Sequence, residues 1–445
     1  MLQAIFWILL ILLISIAIGG PVSTTIGFTA FAAIMIFLSP SQFTHFGTTI
    51  YSNAISANNA LVPLFVMMAE FITRGGIAED IYYVLAKYMR KVRGGLATAT
   101  ILACTVFAAL CGSSPATAAT IGKVSLTQMT KRGYRPDFAI GTVAGGGTLG
   151  IMIPPSITLV MYGILTQTSI VKLLMAGILP GIMLSLLMCL SCMLRVHWNP
   201  SLIGETKAGA KVGQDDEESA PVAVEEYKTT FWQDLLLAGP AMALIAFIMI
   251  CMYTGAATPT ECAGIGAAVS FFMCLGRRRL NKKGFIASML ATCRTSSMMI
   301  LMLSSALMLS FVIGRLGIAT ALATMCTTLN VHRWVIMILL FGLWYFLGTI
   351  MSATAMVTLT IPFIFPALME LGFDPIWLGV VSTLCVEVGM ITPPVGNNLF
   401  ILKQTTGLDI GTIIKGAFPY VIVLTIGLVI LCAFPHIATF IPSLM

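Results

Sequence analysis

An apolar segment near the end of the chain contains a stretch that cannot be helical throughout. This stretch is Gly389–Asn398, in which Pro393 and Pro394 remove two backbone donors and the second proline disfavours the α conformation of the first. In hydrocarbon, an unpaired backbone group is costly unless protein, water or an ion satisfies it. Membrane proteins accept such a break chiefly where it lines a cavity or a binding site. The stretch therefore predicts a membrane helix that breaks at a functional site.

The composition supports a membrane location for this break. Of the 445 residues, 58% are hydrophobic and 9% are charged, whereas a soluble domain carries about 25% charged residues. Apolar runs long enough to cross a bilayer recur along the chain. The net charge of +7 does not indicate a nucleic-acid partner, because most Lys and Arg residues cluster in short loops. The sequence predicts an all-α polytopic membrane protein in a lipid bilayer.

The proline break occurs twice in the chain. Pro154-Pro155 precedes Pro393-Pro394 by 239 residues, and Gly150 precedes Gly389 by the same number. Ala116-Thr117 also has a counterpart, 237 residues later. A nearly constant offset predicts a duplicated unit that consists of a re-entrant hairpin, a broken helix and a full helix.

The apolar runs and the repeat divide the chain into five parts. These are the N-terminal spans 1–94, the first repeat unit 95–197, an acidic connector 198–230, further spans in 231–331, and the second repeat unit 332–445. Within the first part we predict a polar loop at 39–53 and a basic amphipathic helix on the membrane surface at 77–93. The closing span of the second unit is predicted at 411–442.

Basic residues predict opposite orientations for the two units. Lys131, Arg132 and Arg135 flank the first hairpin, and the loop Arg277–Lys283 is also basic, which indicates the cytoplasmic side. The loop Tyr253–Glu261 contains no Lys or Arg, as expected outside. Counting spans from these loops then predicts that one hairpin enters the membrane from each side. This is an inverted-topology repeat, with both termini outside. Three basic residues depart from this pattern: Lys172, Arg315 and Arg333.

Polar side chains lie at the predicted breaks and hairpin tips. Helix N-termini inside a membrane favour an anion, whereas unwound carbonyls and hydroxyls favour a small hard cation such as Na⁺. The candidate groups are Ser113, Ser114, Thr117, Thr349, Ser352, Thr354, Thr392, Asn397 and Asn398. Each hydroxyl could instead bond back to its own helix. The matched positions of Ser113, Ser114 and Ser352 favour a functional role for these three.

Glu387 lies within the second broken helix, two residues before Gly389. A carboxylate inside a membrane indicates ion or proton coupling. It could equally hydrogen-bond and lock the helix break, and the sequence leaves both interpretations open. An intramembrane enzyme is disfavoured, because the sequence offers no paired intramembrane Asp, metal cluster or nucleophile–base pair.

Short motifs along nearly the whole chain carry a resemblance to a known family. They are Ala69-Glu70, Arg74-Gly75-Gly76-Ile77, Lys91-Val92-Arg93-Gly94-Gly95-Leu96, Cys111-Gly112-Ser113-Ser114, Arg132-Gly133-Tyr134, Ile153-Pro154-Pro155-Ser156, Ala176-Gly177-Ile178-Leu179-Pro180-Gly181, Thr258-Pro259-Thr260-Glu261 and Ile391-Thr392-Pro393-Pro394-Val395-Gly396-Asn397-Asn398-Leu399-Phe400. In order and spacing they resemble the large membrane subunit of tripartite ATP-independent periplasmic (TRAP) transporters.

The resemblance implies an elevator-type secondary transporter in the bacterial inner membrane. The two repeat units would form the mobile transport domain, and the remaining helices the scaffold. The family imports organic acids, often C4-dicarboxylates or sialic acids, driven by a Na⁺ gradient. It works with a small four-helix membrane subunit and a periplasmic substrate-binding protein.

The resemblance also implies where the ligands would bind. One Na⁺ site would comprise Gly112, Ser113, Ser114 and Gly150, and the other Gly348, Ser352, Gly389 and Thr392. The substrate anion would contact Ser113, Ser114, Pro155, Ser156, Thr354, Pro394 and Asn397. Glu387 is the candidate for coupling.

One position departs from the family pattern. Many members have an Asp in the second hairpin tip, where this chain has Ser352. The departure leaves the number of coupled Na⁺ ions open. The alternative function is a stand-alone carrier or antiporter of the same architecture, coupled to H⁺ through Glu387.

Overall fold

The computed structural model describes residues 2–203, 230–318, 321, 324 and 332–445, and the regular structure in these ranges is helical. Among the described helices, seven are long and apolar enough to cross a membrane, or up to eight spans if a bent pair is counted as one. The prediction of an all-α polytopic membrane protein is confirmed. The acidic run of the predicted connector lies outside the described residues.

The first part of the chain contains one helix that the sequence analysis missed. Its helices are α1 (Leu2–Ala17), α2 (Val22–Phe37), α3 (Phe43–Ile55), α4 (Ala57–Arg74) and α5 (Ile77–Met89). The polar loop predicted at 39–53 was wrong, because α3 forms there. The Phe43 ring packs against Phe31 with centroids 4.9 Å apart, and Asn53 donates a 2.7 Å hydrogen bond to Ser304. Contacts with other helices therefore stabilise this polar segment as a helix.

The next part contains two helices joined by a tight turn, an interrupted helix and a long helix. Its members are α6 (Gly95–Cys111), α7 (Ser114–Lys131), α8 (Pro136–Gly147), α9 (Ile157–Thr166), α10 (Ile170–Ala176) and α11 (Ile178–Trp198). Gly112 ends α6 with a φ of 64°, a left-handed conformation that favours glycine. Pro115 lies in the first turn of α7, where its missing N–H leaves no hydrogen bond unmade.

The middle of the chain forms α12 (Phe231–Thr254), α13 (Pro259–Gly276) and α14 (Lys282–Arg315). Thr258 and Glu261 begin α13 with a capping box, in which each side chain bonds the backbone of the other residue. α14 has 34 residues and is therefore about 50 Å long. It packs against α2 and α4 of the first part.

The last part repeats the order of a helix pair, an interrupted helix and a long helix. Its members are α15 (Arg333–Ile350), α16 (Ala353–Glu370), α17 (Pro375–Met390), α18 (Asn397–Thr406), α19 (Ile410–Ala433) and α20 (His436–Ser443). The single closing span predicted at 411–442 was wrong. Pro435 disfavours the α conformation of Phe434, which has φ −126° and ψ 72°, and the run divides there into α19 and α20.

The two interrupted helices lie at the centre of the protein. Residues 138–147 of α8 and 377–390 of α17 are buried without exception. α19 packs along both helices, and a Cβ on Gly141 of α8 would lie only 2.1 Å from the carbonyl oxygen of Gly416 on α19. The predicted repeat units also pack crosswise, with α7 against α18 and α9 against α16. The helix that follows each break therefore contacts the helix pair of the other predicted unit.

Ion pairs join α5 to the middle of the chain. Asp80 is buried and accepts hydrogen bonds from Arg277 at 2.5 Å and from Arg279 at 2.7 Å. Lys87 of the same helix donates to Asp234 at the start of α12, at 2.5 Å. The apolar face of α5 packs against α6 and α12. The amphipathic segment predicted on the membrane surface is therefore also fixed to neighbouring helices.

We expect Asp80→Ala to destabilise the protein by about 2 kcal/mol, because it leaves two guanidinium groups without their shared carboxylate. The measurement is thermal unfolding of the purified protein in detergent. Arg74→Ala is the control, since it removes a more exposed ion pair, in which Arg74 lies 3.2 Å from Glu70. Its loss should lower the stability by under about 1 kcal/mol. Equal losses in the two variants would contradict the assignment.

Candidate functional site

The tip of the first hairpin packs directly on the first break. A Cβ on Gly150 would lie 2.6 Å from the carbonyl oxygen of Ser113, and a Cβ on Gly112 would lie 2.2 Å from that of Pro155. Contacts this short with rigid backbone are possible only for glycine. The structure thus brings together Gly112, Ser113, Ser114 and Gly150, which the sequence analysis assigned to one ion site, and Pro155, which it assigned to the substrate.

The second helix pair contacts the second break in a similar way. A Cβ on Gly389 would lie 2.6 Å from the carbonyl oxygen of Tyr345 and 2.7 Å from the Cα of Gly348. Beyond the prolines, the N–H of Gly396 donates a 2.7 Å hydrogen bond to the carbonyl oxygen of Thr349. The end of α15 therefore touches the chain on both sides of this break.

The second helix of each pair begins at a serine that does not cap it. Ser113 precedes α7 and Ser352 precedes α16, both in extended conformations, and neither side chain accepts a hydrogen bond from its helix. The Ser352 hydroxyl lies 3.4 Å from the hydroxyl of Thr354. Each tip therefore combines a helix N-terminus that attracts anions with a hydroxyl oxygen that can coordinate a cation.

Other predicted site residues use their hydroxyls locally. Thr117, Thr349 and Thr392 each donate to a carbonyl oxygen three or four residues earlier, at 2.5–2.9 Å. Ser156 donates to the carbonyl oxygen of Ile151 at 2.5 Å and accepts a 3.2 Å hydrogen bond from the first turn of α9. Ser156 therefore satisfies backbone groups that the first break releases. The oxygen lone pairs of the three threonine hydroxyls remain available to coordinate a cation.

The two breaks differ in accessibility. Residues 154–156 are buried, whereas 393–395, including Pro394, are exposed. Thr354 and Asn397, both predicted substrate ligands, are partly exposed. The second break therefore reaches the molecular surface in this conformation, and the first does not.

A hydrogen bond joins the two halves of the site. The hydroxyl of Ser114, the first residue of α7, donates to Oε1 of Glu387 on α17, 273 residues later in the chain. Both side chains are fully buried. Within the described part of the chain, Glu387 forms no ion pair and its Oε2 has no hydrogen-bond partner. The sequence analysis selected both residues but did not predict their contact.

Asn398 is a candidate that the sequence analysis did not assign to either ion site or to the substrate. It lies in the first turn of α18, directly after the second break, and is fully buried. Neither its amide oxygen nor its amide nitrogen has a partner among the described residues. Burial of an unpaired amide is unfavourable. The signal in the sequence was its position beside the break, which Asn397 shares.

Comparison with known proteins identifies the family. The family model of the tripartite ATP-independent periplasmic transporter, DctM component, matches residues 9–437. The chain belongs to this family. The resemblance drawn from the motifs is thereby confirmed, and this TRAP large permease is an inner-membrane transport protein rather than an enzyme.

Relatives with different named substrates are similar over most of the TRAP permease. The C4-dicarboxylate TRAP transporter large permease protein DctM of Pseudomonas aeruginosa is 31% identical and is aligned over 94% of each chain. The 2,3-diketo-L-gulonate TRAP transporter large permease protein YiaN of Escherichia coli is 26% identical over 96% of each chain. The sialic acid TRAP transporter large permease protein SiaM of Vibrio cholerae is 27% identical over 86% of each chain.

A solved structure shares the fold of the TRAP permease. The YdaH transporter of Alcanivorax borkumensis matches with a TM-score of 0.60 at 19% identity, over 91% of this chain and 90% of that chain. At this identity the match concerns the fold alone.

We expect Gly389→Ala to lower the melting temperature of the purified permease. The added methyl group would meet the backbone of α15, and overpacking of this kind costs about 1–3 kcal/mol. Gly342→Ala on α15 is the matched control, because a Cβ there meets nothing within 4 Å. An alanine at such a helix position should be neutral or stabilise by up to about 1 kcal/mol. A Gly389→Ala protein as stable as the control would contradict the close approach.

Proposed function

We propose that this chain is the large permease subunit of a Na⁺-coupled importer of a small organic anion. The observation that carries the proposal is the contact of each helix-pair tip with its own break, together with the hydrogen bond between Ser114 and Glu387 that joins the halves. Such an arrangement gathers oxygen atoms and helix N-termini at one place in the membrane. Those are the groups that bind a hard cation and an anion together.

We assign one Na⁺ ion to each tip. The first would be bound at Gly112, Ser113, Ser114 and Gly150, and the second at Gly348, Ser352, Gly389 and Thr392. The glycines allow carbonyl oxygens to approach within contact distance of the opposing backbone. Ser113 and Ser352, whose side chains do not cap the helices that they precede, add hydroxyl oxygens. Oxygen ligands of this kind suit a small hard cation.

The substrate would bind as an anion between the two tips. Three similar permeases are named for C4-dicarboxylates, sialic acid and 2,3-diketo-L-gulonate, and all of these are organic acids. The candidate contacts are Ser113, Ser114, Pro155, Ser156, Thr354, Pro394 and Asn397. Of these, Ser156 is committed to capping α9, so we expect it to shape the site rather than select the substrate.

Transport would occur by movement of α6–α11 and α15–α20 against a scaffold of α1–α5 and α12–α14. Crosswise packing of α7 with α18 and of α9 with α16 favours movement of the two repeat units as one body. The unequal accessibility of the breaks suits a state that is open to one side. A small four-helix membrane subunit and a periplasmic substrate-binding protein would complete the transporter.

The test is uptake into liposomes that contain the permease with its two partner proteins. Labelled C4-dicarboxylate, sialic acid and 2,3-diketo-L-gulonate are offered under an inward Na⁺ gradient, with a pH gradient as the comparison. We expect uptake of one of these acids to require Na⁺ and both partners. Uptake that ignores Na⁺, follows the pH gradient and needs no partner would instead identify a stand-alone proton-coupled carrier.

We expect Ser352→Asp to lower the Na⁺ concentration that gives half-maximal uptake. A carboxylate at this tip adds Coulomb attraction to the ion, and a tenfold effect would correspond to about 1.4 kcal/mol. Ser352→Asn is the control, because it has the size of Asp without the charge. If Asn and Asp shift the Na⁺ requirement equally, Ser352 does not lie at a cation site.

A further inference from the structure

The hydrogen bond between Ser114 and Glu387 determines which part of the Ser114 hydroxyl stays available to a ligand. A serine hydroxyl has one proton and two lone pairs. In this structure the proton is donated to Oε1 of Glu387. The lone pairs of Ser114 are then directed away from the carboxyl group. A hydroxyl held in this way keeps its lone pairs in a fixed direction, whereas a hydroxyl without such a partner rotates freely.

We propose that Glu387 is a positioning residue for the first Na⁺ site. From the second repeat unit, it holds the Ser114 hydroxyl in the orientation that presents its oxygen to the ion, and it does not itself bind the ion. The inference rests on the proposed Na⁺ coupling and adds a residue to it. It also makes the geometry of the first site depend on the position of α17.

The positions equivalent to Glu387 and Ser114 in the opposite repeat units do not form a matching hydrogen bond. The residue 239 positions before Glu387 is Thr148, whose hydroxyl bonds back to the carbonyl oxygen of Gly145 at 2.6 Å. Ala353 begins α16 as Ser114 begins α7, and Met351 is the counterpart of Ser114 at the 237-residue offset of the hairpins; neither has a hydroxyl. At these described positions, the first broken helix therefore forms no equivalent hydrogen bond with the second helix pair.

Glu387 is also adjacent to the second site. The carbonyl oxygen of its neighbour Val386 would lie 2.8 Å from a Cβ on Gly348, and Gly389 contacts the same turn of α15. A displacement of α17 at the second site therefore moves the carboxyl group that holds Ser114. Occupation of the second site would in this way set the orientation of a ligand in the first.

Two substitutions separate the reach of this side chain from its charge. Glu387→Gln keeps the length and an acceptor oxygen for Ser114 but removes the charge. Glu387→Asp keeps the charge but is one methylene too short. The measurement is the Na⁺ concentration for half-maximal uptake by the complete three-component transporter in liposomes, at saturating substrate.

We expect the Gln variant to stay within about threefold of the wild type, since the hydrogen bond is retained. The Asp variant should need about tenfold more Na⁺, which corresponds to about 1.4 kcal/mol. The opposite order, with Asp near the wild type and Gln impaired, would show that the charge itself acts on the ion and would overturn the proposal.

A double substitution tests whether Glu387 acts through Ser114. Glu387→Leu and Ser114→Ala should each raise the Na⁺ requirement, and the double variant should resemble Ser114→Ala alone, because residues that act as a unit are not additive. Additive effects would overturn the proposal. Ser382→Ala is the matched control, since Ser382 is a buried residue of the same helix whose hydroxyl, among the described residues, donates to the Gly379 carbonyl oxygen of its own helix at 3.0 Å. It should leave the Na⁺ requirement unchanged.

The controls distinguish a failure of this inference from a failure of the proposed function. Wild-type uptake without any Na⁺ requirement would overturn both. Na⁺-dependent wild-type uptake with an impaired Gln variant would overturn the positioning role alone. Glu387→Leu could fail to fold, so the melting temperature of each variant is measured first. The comparison of Gln with Asp then decides the question without the Leu variant.

Discussion

The backbone groups that each Pro-Pro pair releases must find partners inside the protein, because lipid offers none. The rest of the structure depends on this requirement. The interrupted helices α8 and α17 are accordingly enclosed along residues 138–147 and 377–390. The helix pairs fold onto them, and the glycines at the contacts let backbone approach backbone. The close approach of backbone carbonyl oxygens at the candidate site is thus a direct result of shielding two broken helices from the membrane.

The two breaks meet this requirement differently, although they share a sequence pattern. At the first, Ser156 bonds the carbonyl oxygen of Ile151 and caps α9, so that a side chain of the break itself pairs two backbone groups of the same segment. The residue 239 positions later is Val395, which has no hydroxyl. At this second break the N–H of Gly396 bonds Thr349 of the neighbouring helix pair instead. The second break is therefore bound to its helix pair by the backbone itself.

Local chemistry made much of this arrangement predictable from the sequence. Glycine and proline affect the backbone conformation of only a few neighbouring residues. The turn at Gly112 and both breaks could therefore be located without a structure. α3 could not, because its polar segment becomes helical through contacts such as that of Asn53 with Ser304. The bond between Ser114 and Glu387 joins residues 273 positions apart. Its prediction requires the mutual packing of two helices, which no local pattern contains.

The length of α14 relates the protein to the thickness of its membrane. At about 50 Å, this helix is much longer than the hydrocarbon core of about 30 Å. Its residues 294–315 alone span about 30 Å, and the exposed Arg294 marks where a charged side chain would meet the headgroups. The turns before it then project beyond the hydrocarbon. Because α14 also packs against α16, a change in bilayer thickness would create a hydrophobic mismatch at a helix that borders the site.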